Sequence, residues 1–494
     1  MSQPPVPSSR REARATTPPT AASPPAGERT GIAALIARHP RIWIGSAIGV
    51  AFLLLAVGAL VAGAALGSTR DGDGGGFGGQ SASDARPVPT AVPDASRLRT
   101  CSVSGLIADP ALGTLIGAVT NATTGEVLLD RSATGAIAQG GVAKVVTAAA
   151  AITVLGPDTT ISTRVYEGSQ PNTLVLVGGG DPTLTALSSG ESVYAGAPRL
   201  DSLVDQVENS YSGDVEDVTA IVLDATLWSS ADKWDASWPR SAQTGGTLSE
   251  VTALQVDGDR ADPTAQTSPR GTDPVTSAGR AFAAALGLNP DDVTFSLGSA
   301  VTSRPLLGTV TSQPVSVLVT QMLQQNDNTL AEHLARLVSK AAGSGGSGAS
   351  INQVMTSALG GYGLPVTGVA IADGSGVSPN TVMPPAFVAA LMAKVLAGAD
   401  NLNYVYNSLS VAGQSGLLAA RFAGTNAPAQ GQVVGQPGSF PGGFGLAGIV
   451  SSVDGTPLAF SLSATGEVRE AAARVAIESL VTAAMACGDN LSNT

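Results

Sequence analysis

A long apolar run near the amino terminus limits what the first part of this chain can form. Residues 42–66 are 25 consecutive residues without a charged side chain, and Arg41 precedes them. A helix of this length, at about 1.5 Å per residue, exceeds the roughly 30 Å hydrocarbon core of a bilayer. We therefore expect a single transmembrane helix at 42–66 in the plasma membrane. Because the amino-terminal flank is rich in arginine, we expect that end to be cytoplasmic and the main domain extracytoplasmic.

A cleaved signal peptide is the alternative interpretation of the same run. The small residues Ala62, Gly63 and Ala64 form an acceptable cleavage site. However, the run is longer than the roughly 7–15 apolar residues of a signal peptide, and a tail of 41 residues precedes it. The sequence therefore favours an anchor.

The segments on either side of the run differ from it in composition. Residues 1–41 are rich in Pro, Ser, Thr, Ala and Arg without apolar periodicity, which predicts a disordered cytoplasmic tail. Residues 67–97 contain a glycine-rich stretch followed by prolines, which is typical of a linker. The folded domain is then expected at 98–489.

The distribution of charge and of metal-ligand residues excludes several classes of function. The chain has a net charge of −12, and residues 1–41 carry six Arg and two Glu, so the remainder carries −16. So acidic a domain argues against binding nucleic acid. The whole chain has two Cys and two His, which form no cluster in the sequence, so the sequence argues against a zinc site of the usual ligands. We expect no metal and no cofactor.

The two cysteines lie at opposite ends of the expected domain. Cys101 and Cys487 would be bridged in an exported protein, whereas two buried free thiols are the alternative. The chain-entropy model assigns roughly 4–5 kcal/mol to closing so long a loop.

Helical and strand-like patterns alternate within the domain and predict an α+β class. The patterns predict a hairpin at 115–129, a buried helix at 142–155 and one long helical stretch at 315–337. Strands at 432–435, 445–450 and 457–462 are expected near the end, followed by a helix at 468–485.

Three short segments carry the pattern on which an assignment of function depends. They are Gly141-Val142-Ala143-Lys144, Asn326-Asp327-Asn328 and Gln436-Pro437-Gly438. The first precedes an alanine-rich helix, 182 residues separate Lys144 from Asn326, and a further 110 lead to Gln436. The segments at 176–185, 325–332, 373–378 and 446–450 accompany them.

These segments resemble the class C low-molecular-mass penicillin-binding proteins, the D-alanyl-D-alanine carboxypeptidase-endopeptidase family of actinobacterial type. The resemblance covers nearly the whole folded part. It implies a penicillin-binding transpeptidase-like (β-lactamase-like) domain with an insert between the first two motifs, at roughly 170–300. It also implies a role in peptidoglycan metabolism of the cell wall.

The family's chemistry needs a serine nucleophile three residues before a lysine, a Ser-x-Asn element and a Lys-Thr-Gly strand. In this chain Gly141 replaces the serine, Asn326 replaces the second serine, and Gln436 and Pro437 replace Lys-Thr before Gly438. Only Lys144 and Asn328 remain of the groups that do chemistry. All three motifs are therefore degenerate at the positions that catalysis uses.

The degenerate motifs lead to three hypotheses of different classes. The first is a catalytically inactive homologue that binds peptidoglycan stem peptide or cell-wall assembly proteins. The second is an active serine carboxypeptidase with a displaced nucleophile, for which the candidates are Ser375, Ser378 and Ser439. The third is a structural protein whose groove is closed. For Lys144 we expect a buried cation hydrogen-bonded to Asn328, and for His333 a surface or core histidine with satisfied hydrogen bonds rather than a base.

Overall fold

The computed structural model describes residues 97–493 of the chain. The predicted tail, the predicted transmembrane helix at 42–66 and nearly all of the predicted linker therefore lie outside the described residues. The described part contains helices and strands in mixed order, which confirms the α+β class. The α-helices of the described part are α1 (Ser104–Ile107), α2 (Ala143–Val154), α3 (Leu200–Ser210), α4 (Arg240–Thr244), α5 (Pro274–Ala285), α6 (Val315–Gln325), α7 (Asn328–Ala341), α8 (Ile351–Gly360), α9 (Pro385–Ala397), α10 (Asn403–Ser408) and α11 (Glu470–Cys487).

The strands form three sheets. They are β1 (Thr114–Asn121), β2 (Val127–Arg131), β3 (Ile137–Ala138), β4 (Ser162–Glu167), β5 (Thr173–Val177), β6 (Ala220–Asp224), β7 (Thr294–Leu297), β8 (Leu306–Thr311), β9 (Val382–Met383), β10 (Ser410–Val411), β11 (Val433–Phe440), β12 (Gly443–Ser451) and β13 (Pro457–Thr465). The main sheet has the order β10-β11-β12-β13-β1-β2 and is antiparallel throughout. The predicted hairpin is β1 and β2, and the three predicted late strands are parts of β11, β12 and β13.

The main sheet separates two apolar cores. On one face α2, α6, α7, α8, α9 and α10 enclose the larger core, to which the alanine-rich α2 contributes eight buried apolar residues. On the other face α11 and α1 cover the second core. Because both faces are covered, β12 and β13 are each buried over seven consecutive residues.

The second sheet belongs to the insert that the fold class predicts between the first two motifs. Its order is β7-β6-β5-β4-β8, so it begins at Ser162 and ends at Thr311. Strands β5, β6 and β7 are parallel, whereas β4 is antiparallel to both of its neighbours. Helices α3 and α5 cover its apolar core. The insert thus has a core of its own.

The predicted single helical stretch at 315–337 is wrong in one respect, because the structure has two helices there. Asn326 adopts the left-handed conformation, with φ +55° and ψ +38°, and ends α6. The carboxylate of Asp327 then accepts a hydrogen bond of 2.8 Å from the N–H of Leu330 and caps α7. Asn tolerates the left-handed region and Asp is a strong N-cap, so the motif itself breaks the helix.

The ends of the described domain are joined covalently. Cys101 and Cys487 form a disulfide across a sequence separation of 386 residues, which confirms the predicted pairing. Backbone hydrogen bonds from Cys101 to Asn490 and from Ser492 to Cys101 accompany it.

Among the described residues, one helical segment is long and apolar enough to cross a membrane. It is Glu470–Asn490, which includes α11, and 56% of its apolar window is buried within the protein. Because α11 packs its apolar side on the main sheet, we assign it to the core of the domain.

Candidate functional site

The turn that precedes α2 packs backbone against backbone on strand β11. Gly140 has φ +51°, and a Cβ atom there would lie 2.3 Å from the carbonyl oxygen of Ser439. A Cβ atom on Gly438 would lie 2.2 Å from the carbonyl oxygen of Gln139. Both distances are far below van der Waals contact, so only glycine permits this approach. The approach places Gly141 directly beside β11.

A cleft of about 400 Å³ lies between this turn, the break after α6 and the insert. The residues that line it are Gly141, Lys144, Pro239, Ser241, Ala242, Thr247, Asn326, Asn328, Ser375, Gly376, Val377, Ser439, Phe440 and Pro441. Four motif positions, Gly141, Lys144, Asn326 and Asn328, therefore meet in one place, although up to 187 positions separate them in sequence.

The space where a nucleophile side chain would begin is occupied by neighbouring acceptors. A Cβ atom on Gly141 would lie 2.8 Å from the carbonyl oxygen of Pro437 and 2.9 Å from Oδ1 of Asn326. Contacts below 3 Å require a neighbour to move. The surroundings of Gly141 are thus fitted to a residue without a side chain.

Lys144 is buried behind this position. Its side chain is 1% exposed, and Nζ donates a hydrogen bond of 2.9 Å to the carbonyl oxygen of Ser375. Burial lowers the pKa of Lys144 to about 8, against the opposing effect of the carboxylates of Asp373, Asp327 and Glu332. Such an amine can lose its proton near neutral pH, but it has no serine hydroxyl to activate.

The predicted hydrogen bond between Lys144 and Asn328 is not formed, so that prediction is wrong. The Asn328 side chain turns the other way and donates to the carbonyl oxygen of Thr247 at 3.1 Å, which ties α7 to the insert. The partner of Lys144 is instead a backbone carbonyl, that of Ser375, 231 positions away.

Two carboxylates bind the loop at 373–375, which contains the carbonyl oxygen that Lys144 contacts. Glu332 on α7 accepts hydrogen bonds from the N–H groups of Gly374 and Ser375, at 3.2 and 2.7 Å. Burial, reinforced by the neighbouring Asp373, raises the pKa of Glu332 to about 7. Asp373 accepts from the indole N–H of Trp238 at 2.9 Å. The loop is therefore fixed from both sides by buried acceptors.

Asp327, between the two asparagines, connects the motif to the insert. Its carboxylate lies 2.7 Å from Nη2 of Arg260 and 3.1 Å from the hydroxyl of Tyr194, and all three side chains are buried. Burial alone would raise the pKa of Asp327, but Arg260 and the N–H of Leu330 lower it below its usual range. The middle residue of the motif thus has a structural role that does not require catalysis.

Strand β11 carries the third motif along an open edge of the main sheet. Its neighbour β10 pairs only with Val434 and Gly435. Pro437 therefore lies beyond the end of β10, where no neighbouring strand would accept the hydrogen bond that proline cannot donate. The side chain of Gln436 is fully buried, and neither its oxygen nor its nitrogen has a hydrogen-bond partner in the described part of the chain. Gln436 does not reach the cleft, and it brings no charge to the site.

The three candidates for a displaced nucleophile have other partners. The Oγ of Ser375 donates to Asp373 at 3.2 Å, and the Oγ of Ser378 lies 2.7 Å from that of Ser237. Ser439 donates to Glu470 of α11 at 2.9 Å, so its side chain lies on the opposite face of the sheet from Gly438. None of the three hydroxyls has the amine of Lys144 as its hydrogen-bond partner among the described contacts.

His333 is a core histidine with both ring nitrogens satisfied, which is one of the two environments that the sequence predicts. Its two ring nitrogens lie 2.8 and 3.1 Å from the carbonyl oxygens of Thr329 and Thr252. It is fully buried, and burial lowers its pKa to about 4. In the part of the chain that the structure describes, no group of three or more His, Cys, Asp or Glu side chains is placed to hold a metal ion.

Sequence reasoning missed three residues that organise the site, namely Arg260, Glu332 and Asp373. Glu332 and Asp373 lie at the ends of two of the segments that carry the resemblance, among mostly apolar or small neighbours, whereas Arg260 lies outside those segments and among aspartates. A buried charge must be paired or hydrogen-bonded, so such isolated charges are a usable signal. Their partners, however, come from distant parts of the chain.

This arrangement, with one cleft between a helical layer, a sheet edge and an insert, is that of the penicillin-binding, β-lactamase-like class of proteins. A model of the D-Ala-D-Ala carboxypeptidase 3 (S13) family matches residues 100–285 and 250–486. The chain therefore belongs to this family of cell-wall metabolism.

Individual relatives agree with the family. The chain is 32% identical over 470 residues to carboxypeptidase DacB of Mycolicibacterium smegmatis. The matched region covers 90% of this chain and 97% of that relative. It is 33% identical over 369 residues to carboxypeptidase Rv3627c of Mycobacterium tuberculosis, covering 73% and 78%. Penicillin-binding protein 4 of Haemophilus influenzae shares the fold, with a TM-score of 0.63, 19% identity and coverage of 74% and 95%.

The buried ion pair between Arg260 and Asp327 yields a test of how the insert is held. In an Arg260→Met variant the Asp327 carboxylate loses its cation, and we expect the free energy of unfolding to fall by about 3–5 kcal/mol in urea titrations. Adding Asp327→Asn should recover part of this loss, because it removes the unpaired charge.

The matched control is Arg280→Met, which breaks an exposed pair with Asp291. We expect a change of about 1 kcal/mol or less for that variant. Equal losses for Arg260→Met and Arg280→Met would contradict a structural role for the buried pair.

Proposed function

We propose that this chain is a non-hydrolytic member of its family, anchored in the plasma membrane through residues 42–66 with its amino terminus in the cytoplasm. Its extracytoplasmic domain uses the cleft to bind peptide, either the stem peptide of peptidoglycan or a peptide segment of a cell-wall assembly protein. The observation that carries the proposal is at Gly141. The nucleophile is absent, and the position of its Cβ atom is crowded by Pro437 and Asn326.

The remaining chemistry supports the same conclusion. A hydrolase of this type needs a hydroxyl beside the lysine and a cation on the strand. Here Lys144 bonds to a backbone carbonyl, and Gln436 is buried without charge. The cleft itself is retained, and its walls are fixed by buried hydrogen bonds. A retained cleft without a nucleophile is suited to binding.

The first test is intact-mass spectrometry of the purified full chain after incubation with benzylpenicillin. We expect no adduct, because an acyl-enzyme needs an activated nucleophile. Penicillin-binding protein 4 of Haemophilus influenzae, treated in parallel, serves as the reference. A single acyl adduct on Ser375, Ser378 or Ser439 would instead establish an active enzyme with a displaced nucleophile.

A second test restores the missing serine. Gly141→Ser should release no D-alanine from a D-Ala-D-Ala peptide, because the cation and hydroxyl of the third motif are still absent. The new Cβ atom should also lower the free energy of unfolding by about 1–3 kcal/mol through overpacking.

The control for this variant is Gly105→Ser, since a Cβ atom on Gly105 would meet nothing within 4 Å. We expect a change of about 0.5 kcal/mol or less there. Release of D-alanine by Gly141→Ser would show that one substitution alone separates this chain from an active enzyme.

The anchor is tested by cell fractionation. The full chain should remain in the membrane pellet after alkaline extraction, whereas a chain that lacks residues 42–66 should not, because it has lost its apolar span. A product in the soluble fraction that begins after Ala64, made by cells that express the full chain, would instead establish a cleaved signal peptide.

A further inference from the structure

The walls of the cleft carry almost no charge. Of the fourteen residues that line it, only Lys144 is ionisable, and the remainder are small, apolar, amide or hydroxyl residues. Arg240 lies between the lining residues Pro239 and Ser241 in sequence, but its guanidinium group contacts other residues. It stacks on Trp234 at 4.3 Å and pairs with Glu250 at 3.0 Å.

The one cation in the wall is already engaged. The Lys144 side chain is 1% exposed and donates to the carbonyl oxygen of Ser375. The carboxylates of Glu332 and Asp373 act on it from behind the cleft. Arg260 is likewise held by Asp327, inside the protein. No cation on these walls is left to meet an anionic ligand.

The neighbourhood of Gly141 contributes one exposed polar side chain to the cleft, that of Asn326. The carbonyl oxygen of Pro437 and Oδ1 of Asn326 lie 2.8 and 2.9 Å from the position that a Cβ atom of Gly141 would take. In the described part of the chain the Asn326 side chain has no hydrogen-bond partner, and the residue is exposed. A ligand cannot occupy the position of that Cβ atom, which is one covalent bond from the Cα atom of Gly141, so the side chain of Asn326 is the group here that a ligand in the cleft can meet; it is an uncharged amide that can accept from an N–H group.

We infer that the cleft selects a neutral peptide group, either a carboxamide-terminated chain or an internal peptide segment, over a chain that ends in a free carboxylate. This inference rests on the proposed binding function and names the chemical class of its ligand. A carboxylate would give up its hydration without gaining a cation, which is unfavourable. A neutral amide has less hydration to lose, and its N–H₂ group can donate to the side-chain oxygen of Asn326 in the cleft wall.

The test compares two peptides that differ only at the terminus, acetyl-D-Ala-D-Ala and acetyl-D-Ala-D-Ala-amide. Binding to the purified full chain is measured by titration calorimetry at pH 7.5. We expect the amide to bind at least about 10-fold more tightly than the acid, with little dependence on salt, because a neutral ligand is not screened. Equal or tighter binding of the acid would overturn the inference and leave the proposed binding function standing. Binding of neither peptide would overturn both.

A charge-insertion variant locates the effect in the cleft. Thr247 is an exposed residue of the cleft wall, so Thr247→Arg should supply the missing cation and raise the affinity for the acid by about 10-fold or more. The matched control is Thr244→Arg, on an exposed residue three positions away that does not line the cleft. Thr244→Arg should leave both affinities unchanged. A gain of equal size in both variants would show that the peptides do not bind in the cleft and would overturn the inference.

Discussion

The contact on which the site depends is the direct approach of two backbones, the turn before α2 and strand β11. It needs glycine at positions 140 and 438, because any Cβ atom would meet a carbonyl oxygen at little more than 2 Å. This contact joins the helical layer to the open edge of the main sheet. The cleft, the position of Gly141 and the neighbourhood of Lys144 all follow from it. A family member can therefore lose its reactive groups and still retain the shape of the cleft.

In the second motif, the residue with a structural role and the residues at the family's reactive positions are neighbours in sequence. Asn326 and Asn328 stand at the two positions of the Ser-x-Asn element. In the described structure the side chain of Asn326 has no hydrogen-bond partner, whereas the side chain of Asn328 donates to Thr247 of the insert. Asp327 instead binds Arg260 and begins α7. Removing such a buried carboxylate leaves a cation unpaired and is strongly unfavourable, irrespective of catalysis. Asp327 thus serves the fold, whereas Asn326 stands at the position where the motif of the family has a serine.

Much of the fold could be predicted because its signals are local. The hairpin at β1 and β2, helix α2 and the last three strands follow from apolar periodicity, and the motifs meet as the resemblance implies. The break at Asn326 could also have been predicted, since Asn and Asp favour the left-handed region and helix caps. The partner of Lys144 could not, because it is a carbonyl oxygen 231 positions away, and neither could the burial of Gln436. Such contacts depend on how separate layers approach one another.

In the anchored protein that we propose, the domain is held by its amino-terminal end, and the disulfide between Cys101 and Cys487 then has a mechanical consequence. Tension arriving along the linker reaches Cys101 thirteen residues before the first strand of the main sheet begins at Thr114. The covalent bond transfers that load to the end of α11, which is packed along the sheet. The hydrogen bonds of β1 then bear little of it. Sustained pulling would stretch a closed loop rather than peel away a strand.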